Sequence, residues 1–113
     1  GVTLTVWADE QDCIRKFELS GHAGFAEAGK DIVCAGVSAI AITAVNGLAH
    51  FLSRPPVVKE RDGFLSCELE GLNAEELTCA QWILKTMVLG FESIREAYGS
   101  RYLTLNWRRW TPC

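Results

Sequence analysis

The stretch Gly21–Ser38, GHAGFAEAGKDIVCAGVS, is where the reading of this chain turns. Its first half is punctuated by Gly21, Gly24 and Gly29. Its second half opens an apolar run that continues to Leu52. Glycine admits backbone conformations closed to other residues, so Gly21–Lys30 reads as a loop that carries His22 and Phe25. The run beyond it has helical length, and Asp31 has the chemistry of an N-cap: its carboxylate can accept the N–H of Val33 or Cys34. A helix starting at Asp31–Ile32 puts Cys34 in its first turn. Unpaired N–H groups and the positive end of the helix dipole favour an anion there, and the thiolate is the nucleophilic form of cysteine. With His22 in reach, the two make an activated nucleophile and its base.

Working upstream, Val2–Trp7 alternates in polarity, with Val2, Leu4 and Val6 on one face, and Cys13–Ser20 directs Phe17 and Leu19 to one side. Both read as half-buried strands, paired as a hairpin. Downstream, the helix runs to about Leu52, where Arg54-Pro55-Pro56 stops it. It is apolar on nearly every side, so it is expected to pack against a sheet on one face and another helix on the other. Val57–Arg61 and Phe64–Glu70 flank Asp62-Gly63, a hairpin signal. Asn73 and Glu76 form a capping-box pair for a second helix, whose stripe is Leu77, Ala80, Leu84, Met87, Phe91, Ile94 and Tyr98, with Gly99 at its C-terminus. Tyr102–Trp107 alternates again as a last strand, and the tail to Cys113 is expected to fray. The order is strand, strand, helix, strand, strand, helix, strand. It predicts an α+β fold with helices packed on a largely antiparallel five-stranded sheet.

The 113 residues suit one domain with a modest core, and the net charge of −3 argues against a nucleic-acid partner, which needs clustered basic surface. The five cysteines are odd in number and lack a CxxC pair, so reduced thiols in a cytoplasmic protein are expected rather than a disulfide framework or a zinc site. No metal or cofactor is expected: Cys13, His22 and Cys34 have no known ligand spacing. Ile32–Leu52 approaches the length of a membrane span, but Gly36, Ser38, Thr43, Asn46, Gly47 and His50 interrupt it, and a helix buried in the fold is expected.

Each site residue also has a bland reading. A cysteine in an apolar helix is commonly a small buried hydrophobe. A loop histidine is commonly only polar surface. Asp31 can cap the helix or orient His22, and its charge slightly opposes thiolate formation. Ser38 shares a helix face with Cys34 and can hydrogen-bond near the site or back to its own helix. Lys30 can add positive potential or sit solvated. Cys67, Cys79 and Cys113 read as structural or incidental.

Gly21-His22-Ala23 followed by Gly29-Lys30-Asp31-Ile32-Val33-Cys34-Ala35-Gly36-Val37-Ser38 resembles the ribosomal-processing cysteine protease family, Prp. The element order resembles that family over almost the whole chain. The resemblance implies one cysteine-protease domain over residues 1–113. It also implies a catalytic Cys34 with His22 as general acid and base, and a Gly-rich loop including Gly21, Gly24, Phe25, Gly29 and Lys30 that closes over a peptide. The implied substrate is the N-terminal extension of a bacterial large-subunit ribosomal protein, the L-twenty-seven protein, cut after a pair of aromatic residues. A homodimer is implied as well, and the unusually apolar first helix independently suggests a partner-facing surface. Two alternatives stay open from the residues themselves. One is a non-catalytic ribosome-associated module that binds the same ribosomal protein, and the other is a redox sensor built on Cys34.

Overall fold

The computed structural model describes residues 1–21 and 32–112 in full, together with the backbone of residues 28–31. The chain runs β1 (Val2–Ala8), β2 (Ile14–Ser20), α1 (Ala28–Phe51), β3 (Val57–Arg61), β4 (Phe64–Glu68), α2 (Ala74–Tyr98) and β5 (Leu103–Arg109). The strands form one sheet in the order β3-β4-β2-β1-β5. Every pairing is antiparallel except β1 with β5, which is parallel. The expected α+β arrangement is therefore the observed one.

Alternation along the strands decides which face is buried. Residues directly opposite on neighbouring strands point to the same side. The register carries one row across all five strands, Glu60, Leu65, Leu19, Leu4 and Leu105, and the next row is Val58, Cys67, Phe17, Val6 and Trp107. Leu4, Val6, Phe17 and Cys67 are buried under the helices. Both rows end on β3 in side chains that the helices do not cover, since all of β3 is exposed.

The two helices lie side by side on this face. α1 buries Val33, Val37, Ala41, Ala44, Leu48 and Leu52, a stripe at three- and four-residue spacing. Gly90 on α2 lets the helices close up, because a Cβ there would sit 3.0 Å from Ile40 Cδ1. α1 packs on the sheet and against α2 as expected, but the expectation that it is buried in the fold needs correcting. Ile32–Phe51 is long and apolar enough to cross a membrane by length and composition, yet only 28% of it is buried within the fold. With a single neighbouring helix, Ile42 and Phe51 of α1 and Trp82 and Leu89 of α2 remain exposed.

Other boundaries moved for identifiable reasons. β4 ends at Glu68, two residues earlier than its alternation suggested. Asn73 caps α2 as expected, its Oδ1 accepting the Glu76 N–H at 2.8 Å. Glu76 does not complete a capping box: its carboxylate accepts the N–H and hydroxyl of Ser53, both at 2.6 Å, tying the end of α1 to the start of α2. Gln81 is buried on α2 and bonds to the first residue of β2. Its Oε1 accepts the Ile14 N–H at 2.6 Å and its Nε2 donates to the Ile14 carbonyl at 3.0 Å. The tail is not frayed. β5 continues to Arg109, Trp110 N–H donates to the Ala8 carbonyl at 2.8 Å, and the Trp110 ring lies 4.9 Å from the Arg15 guanidinium. Cys113 lies outside the described residues.

Candidate active site

α1 begins at Ala28, three residues before the expected start. Asp31 is thus inside the first turn rather than at the N-cap, and Gly29 and Lys30 are helical backbone rather than loop. Ala28 and Lys30 are strong helix formers, and packing farther along α1 outweighs the cost of about 1 kcal/mol for a glycine in a helix. Cys34 is consequently the seventh residue of α1. The helix-dipole effect fades within the first turn, so it contributes less to the thiol than an N-terminal placement implied.

Cys34 is partly exposed and packs against the margin of the core. It lines a groove of about 490 Å³ with Val37, Ser38, Ala41 and Ile42, the next two turns of the same face of α1. The sheet supplies Val2, Leu19 and Leu65, and Gly21 and residues 60–64 of the β3–β4 hairpin complete the wall. A groove of this size with a largely aliphatic floor accommodates one or two side chains of an extended peptide. The groove is open to solvent, and Cys34 on its wall is partly exposed rather than fully buried. Cys67 supplies the contrast: it is 1% exposed, and burial pushes its thiol up to about 12. Cys79, read as structural, is exposed on α2.

Gly21 is fixed at the groove's edge. Its N–H donates to the Gly63 carbonyl at 2.9 Å, which ties the end of β2 to the β3–β4 turn. Its φ of +88° is one that glycine adopts without strain, and a Cβ would lie 2.6 Å from the Gly1 carbonyl oxygen. His22, Gly24 and Phe25 lie outside the described residues, as do the side chains of Lys30 and Asp31. Ser38 is exposed in the groove, and its hydroxyl makes no hydrogen bond among the described residues, so the back-bond to its own helix is not formed. Among the described residues there is no cluster of three or more metal-ligating side chains.

Sequence reasoning missed the hairpin wall. Val57–Leu65 was legible as two strands and a turn, but nothing local says that the turn meets α1. One signal was available: alternation puts Glu60 on the same face as Val58, a charge where a strand covered by helices would carry an aliphatic residue.

The family described as Cysteine protease Prp matches residues 2–103. The ribosomal processing cysteine protease Prp of Bacillus subtilis is 34% identical over 100 residues, covering 86% of this chain and 89% of the relative. The Staphylococcus aureus protein of the same name is 30% identical over 109 residues, covering 95% of this chain and 99% of the relative. A crystal structure of the S. aureus essential ribosomal processing protease with a covalently linked product peptide superposes with a TM-score of 0.82, covering 96% of this chain and 100% of that one at 30% identity. A second S. aureus structure, with a substrate peptide, gives the same score at 27% identity and the same coverage.

Proposed function

The chain belongs to the Prp family of ribosomal-processing cysteine proteases, and on that footing we propose that Cys34 is its nucleophile and His22 its general acid and base. The Cys34 thiolate attacks the scissile carbonyl carbon. The carbon–sulfur bond forms, the carbon–nitrogen bond breaks, and the His22 imidazolium gives its proton to the departing amine. Water then attacks the thioester while His22 takes its proton, releasing the acid product and the thiolate. The observation that carries this reading is a partly exposed thiol on the wall of a peptide-sized groove. It is supported by the S. aureus relative, which was solved with a product peptide covalently linked. His22 directly follows Gly21, which lines the same groove.

The substrate we propose is the N-terminal extension of the L-twenty-seven ribosomal protein, cut after its aromatic pair in the cytoplasm. Val37, Ala41, Leu19 and Leu65 offer the apolar contact that such residues need. Incubating the chain with that extension peptide and following product masses tests the reading. Cys34→Ala should abolish cleavage, and His22→Ala should slow it strongly without unfolding the chain. Cleavage by Cys34→Ala at the wild-type rate would refute it, and tight binding without turnover would favour the non-catalytic module.

A homodimer through the outer face of the helix pair completes the proposal. Phe51, Trp82 and Leu89 are between 63% and 76% exposed, and Phe51 and Trp82 border an apolar depression of about 670 Å³. Isolated globular chains seldom leave large apolar patches in water. A second copy would cover it.

A further inference from the structure

We propose that Glu60 makes the groove selective for charge: its carboxylate accepts a lysine or arginine side chain of the substrate lying close to the hydrophobic residue that fills the apolar floor. The inference rests on the proposed reading of Cys34 as a peptidase nucleophile and adds the substrate chemistry at the opposite wall. Glu60 pairs with Leu65, Leu65 with Leu19 and Leu19 with Leu4, so Glu60 stands on the helix side of the sheet. Because the helices stop short of β3, this residue faces the groove instead of the core. Arg61 also borders the groove, but it pairs with Phe64 on the opposite face, and its guanidinium lies 4.0 Å from the Phe64 ring centroid. Asp62, in the turn, already has a partner. Glu60 has no ion pair or hydrogen bond among the described residues.

A ligand seated on Val37, Ala41, Leu19 and Leu65 therefore has beside it one carboxylate with no ion pair among the described residues. An apolar or acidic neighbour in the peptide would take water from that carboxylate and return nothing, whereas an ammonium or guanidinium returns a charge-assisted hydrogen bond stronger than that of a neutral donor. Glu60 is exposed, so the gain is that of a surface ion pair and is screened by salt.

The test uses peptides with an aromatic pair and one variable residue, Lys, Gln or Glu, walked over the three positions on each side of the cleaved bond. Affinity is measured by fluorescence anisotropy on Cys34→Ala, and turnover on the intact chain. At one position the Lys peptide should bind about three- to fivefold more tightly than the Glu peptide at low salt. That ratio should shrink towards unity at about 0.5 M salt. Glu60→Gln should erase the ranking, and Glu60→Lys should invert it. A ranking that survives Glu60→Gln, the absence of a ranking at every position, or no binding at all would overturn the inference. Glu60-dependent ranking without cleavage would sink the protease reading and leave the charge selection standing. Cleavage without ranking would do the reverse.

Discussion

Alkylation distinguishes the groove cysteine from the others in one experiment, and the structure sets the size of the contrast. Only the thiolate reacts with iodoacetamide. At about pH 7.5 a thiol with a pKa of about 12, such as Cys67, is ionised in roughly three molecules per hundred thousand, against roughly one in ten for an ordinary exposed thiol. Ionisation alone thus slows Cys67 by about three orders of magnitude. Its 1% exposure slows it further. Cys79 is exposed, and Cys13 and Cys34 are partly so, and all three should label while the fold is intact. Labelling sites are followed by peptide mass, and cleavage is measured on the same samples. Lost activity should track the fraction of Cys34 labelled, and Cys79→Ser should leave that relation unchanged. A groove-filling peptide should protect Cys34 and leave Cys79 untouched, since Cys34 lines the groove and Cys79 does not. Labelling of native Cys67 at a rate near that of Cys79, or activity loss that follows Cys79 occupancy, would refute the reasoning.

Other predictions address the scaffold around the groove. Gln81→Leu keeps the volume but removes both bonds to Ile14, leaving a buried N–H and carbonyl unpaired; urea unfolding should show a loss of roughly 2–4 kcal/mol. Burial pushes the Asp9 carboxyl up, but the Arg15 side chain and the Cys13 and Gln11 N–H groups outweigh it and hold the group below its ordinary value. Its contribution to stability is therefore complete above the unfolded-state pKa and is lost as the pH falls through the folded one. Asp9→Asn should flatten the acid limb of stability against pH, read as the urea midpoint at each pH. Trp82→Glu places a charge in the exposed apolar face and should convert a dimer to a monomer in sedimentation at micromolar concentration. A wild-type chain that sediments only as a monomer would remove the dimer from the proposal.

Most of the fold was legible because each element carries its own local signal. β1 and β2 show alternation, Asp62-Gly63 marks the hairpin, and Asn73 and Gly99 bound α2. What was not legible depends on contacts between residues far apart in the chain. Trp110 is held by Ala8 and Arg15, so no feature of the tail itself shows that it is ordered. Glu76 fits a capping-box pattern but spends its carboxylate on Ser53, a residue of another element. The groove is the largest case. Its α1 face was readable from the spacing of Cys34 and Ser38, whereas its hairpin wall exists only because Gly21 bonds to Gly63 and the sheet register turns Glu60 towards α1.

The start of α1 has the greatest consequence for the chemistry. Reading Gly29 as a loop residue set the helix three positions late and credited its dipole with ionising the thiol. With Ala28 as the first helical residue, Cys34 lies almost two turns in, beyond the reach of most of that field. The sulfur must then receive its activation from a neighbouring base if it is to act as a nucleophile, and His22 is the histidine whose sequence neighbour lines the groove. His50, the other histidine, is in the last turn of the same helix, sixteen residues beyond Cys34. At about 1.5 Å per residue, that puts it roughly 24 Å away along the helix axis. The proposed role of His22 therefore carries more of the mechanism with the observed helix than with the expected one.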